Sequence, residues 1–159
     1  MEQDNQQAKS FFNLGWIVAI LEGEGWFILN RRKQRDKYYV YTPVIGLNST
    51  SQKLINQLGE ILKEWNVGYW TSKRKFLETK NKDQYVVNIR GFKRCSKLLE
   101  KIIPHLNEKK SQAELLKEFI DYRMQFYNNR HNHCGEKEEE YRQKLQWLNR
   151  KGKASTTIH

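Results

Sequence analysis

Residues 11–25 form the segment FFNLGWIVAILEGEG. Its first twelve residues are apolar nearly all round, and a helix without a polar face is buried on all sides. In a chain this small, such a helix is expected to pack on its own core and also on a partner. The run stops at Glu22-Gly23-Glu24-Gly25, where the glycines end the helix and turn the chain. The pattern therefore predicts a helix over 11–22 that packs on two sides.

The residues after this helix predict two β-hairpins, each followed by a helix. Apolar alternation and charged turns indicate strands at 26–32, 38–47, 69–77 and 84–90. Further helices are predicted after the caps at 48–51, before Pro104, at 111–128 and at 136–150. This order indicates an α+β fold with an antiparallel four-stranded sheet. Helices cover one face of such a sheet and leave the other face open.

The composition is that of a basic globular chain of about one domain. The chain has 159 residues, of which 38% are hydrophobic and two are cysteines. Residues 1–10 are polar, and no apolar run reaches the roughly 18–20 residues that a membrane span needs. We therefore expect a soluble intracellular protein without a membrane partner.

The charge is concentrated in the two hairpin segments. The whole chain has 29 basic and 18 acidic residues, a net charge of +11. Segments 26–48 and 67–92 contain eleven of the basic residues and three of the acidic ones, a net +8. Such concentration favours a phosphate-backbone partner over an ordinary lysine-rich surface.

Strand alternation predicts which side chains the open face carries. The predicted set contains amides, a hydroxyl and basic groups that suit base edges and phosphates. Its members are Asn30, Arg32, Thr71, Lys73, Lys75, Gln84, Asn88 and Arg90. We expect these residues to bind nucleic acid.

Residues 17–25, IVAILEGEG, resemble the LAGLIDADG motif of homing endonucleases. Residues 104–113, PHLNEKKSQA, match the family's second landmark, a lysine after the last repeat helix. The resemblance covers roughly residues 11–120 and implies the αββαββα fold, with additional C-terminal helices. Because one copy of the motif is present, the family pattern implies a homodimer. Trp16, Ala19, Ile20 and Glu22 are the expected interface residues.

The resemblance also implies a metal-dependent active site. Glu24 is the expected metal-binding acid, the Gly23 carbonyl is expected to complete its ligands, and hard oxygen donors suit Mg²⁺. Mn²⁺ or Ca²⁺ is expected to replace Mg²⁺ in binding. The family more often has Asp at the position of Glu24 and Gly at that of Ala19. Glu22 is expected to support the interface or the helix ends.

The remaining catalytic assignments also come from the resemblance. Lys109 matches the lysine that lies near the scissile phosphate, with Lys110 as the alternative if the register differs by one. Ser49, with Asn48 beside it, has the position that usually orients water. Lys53 is expected to contact backbone phosphate.

The resemblance implies a site-specific endonuclease that cuts both strands of a long, roughly palindromic DNA duplex, in the service of intron or intein homing. The alternatives on the same fold are an RNA-splicing maturase that binds intron RNA and a non-cleaving DNA-binding protein. The expected domains are an endonuclease core at 11–130 and a helical extension at 131–150, with flexible termini at 1–10 and 151–159. Bacterial or archaeal cytoplasm, a chloroplast or a mitochondrion would all suit such a protein.

Overall fold

A computed structural model describes residues 2–34, 38–75, 82–126 and 135–154. The described elements follow one another in the order that the sequence predicts. They are α1 (Glu2–Glu24), β1 (Gly25–Gln34), β2 (Tyr38–Ser49), α2 (Gln52–Glu64), β3 (Trp70–Arg74), β4 (Gln84–Arg90), α3 (Phe92–Ile102), a 3₁₀ turn (Ile103–His105), α4 (Lys110–Met124) and α5 (Gly135–Ala154). The predicted α+β class with one four-stranded antiparallel sheet is confirmed.

Element boundaries follow the local signals with a few differences. α2 begins after Ser51, whose hydroxyl accepts a hydrogen bond from the Leu54 amide at 3.3 Å, as the cap signal predicts. β4 has the predicted bounds. α1 begins at Glu2, well before the predicted start at 11, and β3 ends at Arg74, while 76–81 lie outside the described residues. Among the described residues, we find no helix with the length and apolarity to cross a bilayer.

The strand order is β1-β2-β4-β3, and every neighbouring pair is antiparallel. Alternate strand residues point to opposite faces. Phe27, Ile45, Val87 and Ile89 point to the face that packs against the helices, and each is at most 2% exposed. The other face carries the even-numbered strand residues, and we call it the open face. Its central members are Trp26, Ile28, Asn30, Arg32, Thr42, Val44, Gly46, Asn48, Trp70, Ser72, Arg74, Gln84, Val86, Asn88 and Arg90.

The C-terminal helix α5 packs against the same core as the other helices. Tyr141 and Leu145 belong to the central apolar cluster, and the Tyr141 ring packs edge-on against Phe119 of α4. Near its C-terminal end, the Asn149 amide donates to the backbone carbonyl of Phe27 at 3.0 Å. α5 therefore covers part of the outer edge of β1, an edge strand whose outward carbonyls would otherwise lack a partner.

Candidate active site and nucleic-acid interface

The helix-to-strand junction at Gly25 begins the candidate site. α1 ends at Glu24 and β1 begins at the next residue. A Cβ at Gly25 would lie 2.7 Å from the backbone oxygen of Leu21, closer than real Cβ contacts come. Only glycine therefore lets the chain pass directly from the helix into the sheet, and this holds the motif acids beside the inner end of β1.

Lys109 lies against the C-terminal end of α1. Its ammonium donates to the carbonyls of Leu21 at 3.0 Å and Gly25 at 2.7 Å, and it lies 3.5 Å from that of Gly23. Carbonyls in the last turn of a helix lack backbone partners and carry partial negative charge. Burial lowers the pKa of Lys109 below its usual value, and the negative charges of Glu22 and Glu24 partly offset that effect.

Glu22 ties α1 to the loop before α4. Its carboxylate accepts hydrogen bonds from the backbone amides of Asn107 and of Lys109, the latter at 3.1 Å. Because Lys109 is the residue from which α4 starts, these bonds hold the lysine's backbone beside the helix that its side chain caps. Within this chain, Glu22 thus supports helix ends.

Glu24 and Gly23 are both exposed at the end of α1. The Glu24 carboxylate and the Gly23 carbonyl are hard oxygen donors, so their chemistry fits Mg²⁺. Among the described residues, no three His, Cys, Asp or Glu side chains form a cluster that could hold a metal ion. Within the described residues, these two oxygen donors are what one chain offers at this position.

The C-terminal end of β2 lies beside the C-terminal end of α1. Gly25, which directly follows α1, pairs with Leu47, and β2 ends two residues later at Ser49. Asn48 is on the open face and donates to Gln84 at 3.5 Å. Ser49 is the next residue and so belongs to the other face of the sheet. Its hydroxyl accepts a hydrogen bond from the Ser51 backbone amide at 3.1 Å. Lys53 is exposed in the first turn of α2.

The open face contains five of the eight strand residues predicted for it. Asn30, Arg32, Gln84, Asn88 and Arg90 all have the parity of this face. In the strands that the structure describes, the central part of this face contains no Asp or Glu. The face is therefore polar and positive at its periphery, as expected for a surface that contacts phosphates.

The predicted placement of Thr71 and Lys73 on the open face is wrong. Thr71 pairs with Val87 and Lys73 pairs with Tyr85, so both point to the helix-covered side. Lys73 forms an ion pair with Asp83 at 2.9 Å, which raises its pKa. Lys75 was assigned by the same parity, and it lies one residue beyond the end of β3.

The open face also contains side chains that the sequence analysis missed. Trp70, Ser72 and Arg74 occupy the β3 positions that were assigned to Thr71, Lys73 and Lys75. Trp26 and Ile28 lie on β1 beside the end of α1. Alternation from Trp26 could have found the β1 pair, but the short β3 segment has no apolar alternation that would set its parity.

One side of α1 remains accessible. Trp16 and Ile20 are half-buried against the core, while Ala19 is exposed. Apart from the helix's own backbone and the adjoining residues, no described atom lies within 4 Å of a Cβ added at Gly15 or Gly23. Gly15, Ala19 and Gly23 recur at four-residue spacing and thus form one stripe of small residues along the helix.

No protein-family model matches the chain, and no curated protein matches it in sequence. Solved structures do match its fold. The archaeal intron-encoded homing endonuclease I-Vdi141I, complexed with DNA, is 19% identical with a TM-score of 0.67, and the match covers 87% of this chain and 85% of that one. I-CvuI, bound to the I-CreI target with magnesium, is 18% identical with a TM-score of 0.65, covering 86% and 82%.

A third similar structure carries the motif's name. The LAGLIDADG homing endonuclease I-SmaMI, bound to cleaved DNA, is 17% identical with a TM-score of 0.60. The match covers 83% of this chain and 42% of that one. The resemblance carried by residues 17–25 and 104–113 is thus confirmed for the architecture, and the chain has the fold of the LAGLIDADG homing endonucleases.

Proposed function

We propose that this chain is a homodimeric, divalent-metal-dependent endonuclease that cuts both strands of a long, roughly palindromic DNA duplex. The observation that carries this proposal is the meeting of Glu24 and Lys109 at the inner end of the open face. An exposed acid and a half-buried cation thus lie beside a surface that suits phosphates, on the fold of DNA-bound homing endonucleases. This arrangement is suited to metal-dependent phosphodiester hydrolysis.

Glu24 and the Gly23 carbonyl are the residues that would hold Mg²⁺, and Mn²⁺ or Ca²⁺ would replace it in binding. When bound, such an ion activates water and stabilises the leaving oxygen of a phosphodiester. Calcium and magnesium both accompany the I-CvuI complexes. Glu24 is exposed and close enough to Lys109 for its charge to act on the ammonium.

The chain's own residues have separate roles in this proposal. Lys109 provides positive charge beside the scissile phosphate. The hydrogen bonds from its ammonium to the backbone carbonyls of Leu21 and Gly25 hold the side chain in place in the absence of DNA. Asn48 and Ser49, at the end of β2, orient water between the strand and the phosphate. Lys53, exposed on the first turn of α2, contacts the DNA backbone.

The homodimer is supported by the accessible stripe on α1. Small residues let two helices approach closely, and Gly15 and Gly23 leave open space where a side chain would stand. A dimer through this stripe, with Trp16, Ile20 and Glu22 at its margins, would bring two Glu24 carboxylates together. It would also join two open faces into one surface with two-fold symmetry, so we expect a palindromic target.

The test is cleavage of a randomised duplex-DNA library in Mg²⁺ by the wild type and by Glu24→Gln. The wild type should cut a partial palindrome, and Glu24→Gln should bind the same sites with similar affinity while cleavage falls at least about 100-fold. Glu114→Gln, which changes an exposed acid on α4, is the matched control and should cut normally. Specific duplex binding without cleavage by the wild type would instead identify a DNA-binding protein on this fold.

A further inference from the structure

The open face has apolar side chains on β1 and β2 among its polar and basic ones. Trp26 lies across Gly46 on the next strand, where an added Cβ would run into the indole ring. Ile28 pairs directly with Val44. Val44 is 1% exposed and does not belong to the core cluster on the other side of the sheet. These side chains therefore pack with one another on the open face.

A second indole lies in the same row across the sheet. Gly46 pairs with Asn88, and Asn88 pairs with Trp70, so one row reads Trp26, Gly46, Asn88 and Trp70. Trp70 is 63% exposed. An exposed indole forgoes hydrophobic free energy that burial would supply, so a large exposed aromatic on a binding face indicates a partner with apolar surface.

Basic side chains lie around these apolar residues. Arg32 lies at the outer end of the edge strand β1 and Arg74 on the opposite edge strand β3, while Arg90 lies on β4 beside the Ile28–Val44 pair. Positive charge on the two edge strands matches the phosphates on both sides of a DNA groove. The apolar side chains then face the base edges, and in the major groove the apolar group on those edges is the C5-methyl of thymine.

We propose that Trp26, Ile28 and Trp70 read thymine methyl groups, with the buried Val44 supporting Ile28 from the next strand, so that the preferred DNA is A·T-rich in the inner part of each half-site. The inference rests on the proposed function and specifies its substrate. Trp26 and Ile28 follow Glu24 by two and four residues. At about 3.3 Å per strand residue, they lie about 7 and 13 Å from Glu24 along β1. At about 3.4 Å per base pair, they face positions about two to four base pairs from the cut.

The outer positions are read differently. Asn30 and Arg32 continue β1 away from Glu24, and their amide and guanidinium groups suit hydrogen bonds to purine edges. Thymine methyls should therefore matter in the inner base pairs and have little effect in the outer ones. This division along one strand follows from the order of Trp26, Ile28, Asn30 and Arg32 in the sequence.

The experiment replaces thymine by deoxyuridine in the duplex selected by the full chain. The replacement removes one methyl group and keeps every hydrogen-bonding group of the base. Uracil at inner thymines should weaken binding about 3- to 10-fold per half-site, whereas uracil at outer thymines should leave binding unchanged. Ile28→Ser and, separately, Trp26→Ser should bind the thymine and uracil duplexes equally.

Asn30→Ala is the matched control variant, because it removes a neighbouring side chain of the same strand and face. It should weaken binding of both duplexes equally and retain the inner uracil effect. An inner half-site rich in G·C pairs, or specific duplex binding that ignores uracil at every position, would overturn the inference and leave the proposed function standing. A preference for RNA, whose uracil lacks this methyl, or no specific duplex binding at all would overturn both.

Discussion

Gly46 and Trp26 form a pair in which one residue's lack of a side chain makes room for the other's ring. Gly46 is buried although it lies on the open face, because the indole of Trp26 lies over it. The steric requirement here is for space above the strand, which explains a glycine in the middle of β2, where glycine otherwise weakens a strand.

We expect Gly46→Ala to lower the free energy of unfolding by about 1–3 kcal/mol, because the added methyl displaces a packed indole. Urea denaturation measures this change. In the Trp26→Ala background, Gly46→Ala should change the free energy of unfolding little, because the ring that the methyl would meet is gone. The double-mutant cycle should therefore give a coupling free energy of about 1 kcal/mol or more. Additive effects in the double variant would show that the indole does not lie on Gly46.

Lys109 has a structural contribution besides its proposed catalytic one. In the folded chain its ammonium satisfies carbonyls at the end of α1 that would otherwise lack donors. Lys109→Met keeps much of the side-chain length and removes the charge and the hydrogen-bond donors. Cleavage and stability should therefore both fall in this variant.

The expected loss for Lys109→Met is about 1.5–3 kcal/mol in the free energy of unfolding, as for hydrogen bonds to a charged group. Single-turnover cleavage should also fall by more than the change in DNA affinity accounts for. Lys110→Met changes the next residue, at the start of α4, and is the matched control. Equal effects of the two variants on cleavage would contradict the assignment of Lys109.

Among the contacts between elements, those of Glu139 join α5 to the hairpin of β1 and β2. Its carboxylate accepts from the Tyr41 hydroxyl at 2.6 Å, Arg31 at 3.2 Å and Arg142 at 2.8 Å. Burial alone would raise the pKa of Glu139, but the Tyr41 hydrogen bond and the two arginines outweigh it and leave the pKa lowered. Burial, together with Glu139, raises the pKa of Tyr41 to about 12.

A lowered pKa in the folded state means that the ionised carboxylate stabilises the fold. This stabilisation is complete above the ordinary glutamate pKa of about 4.3 and is lost as the pH falls through the lower folded-state value. At pH 7, Glu139→Gln should lower the free energy of unfolding by about 1–2 kcal/mol. Unfolding measured from pH 7 to 3 should show the difference from wild type shrinking on the acid side.

Glu140→Gln is the control for this prediction, because Glu140 pairs with Lys144 within α5 and both side chains are 60% exposed. It should remain close to wild type at every pH, since exposed pairs contribute little. If the deficit of Glu139→Gln were the same at pH 3 and pH 7, the carboxylate's charge would not be what holds α5 to the sheet.

At the scale of the whole molecule, one chain contains half of the proposed catalytic machinery. Ala19 is exposed in the middle of the small-residue stripe, and a dimer through this stripe would bury it. Ala19→Arg would place a charge and a long side chain where two helices meet, and burying an unpaired charge costs several kcal/mol.

We expect sedimentation to show the wild type at twice the mass of one chain and Ala19→Arg at the mass of a single chain. Its dimer dissociation constant should rise about 100-fold or more, and cleavage of both strands should be lost with it. Glu114→Arg, at an exposed position of α4, should remain dimeric. A wild type that sediments as one chain at working concentrations would contradict the homodimer.

Much of the fold was determined by local sequence. Gly25 follows the last residue of α1, two residues beyond the predicted end, Ser51 caps α2, and the apolar alternation of 84–90 predicts the bounds of β4. These features depend on one residue's backbone freedom, a single side-chain cap or a short period, so neighbouring residues are sufficient to predict them. The approximate place of the motif acids at a helix end followed in the same way.

Which side chains share a face or a site depends on contacts between distant parts of the chain. In β3, a register difference of one residue exchanges Thr71 and Lys73 for Trp70, Ser72 and Arg74, because every side chain then changes face. That register depends on pairing with β4, which lies beyond a loop. The contact of Lys109 with α1 likewise joins residues far apart in the chain, so spacing alone left Lys110 as an alternative. Local sequence determined the elements, and long-range packing determined the surface that they present.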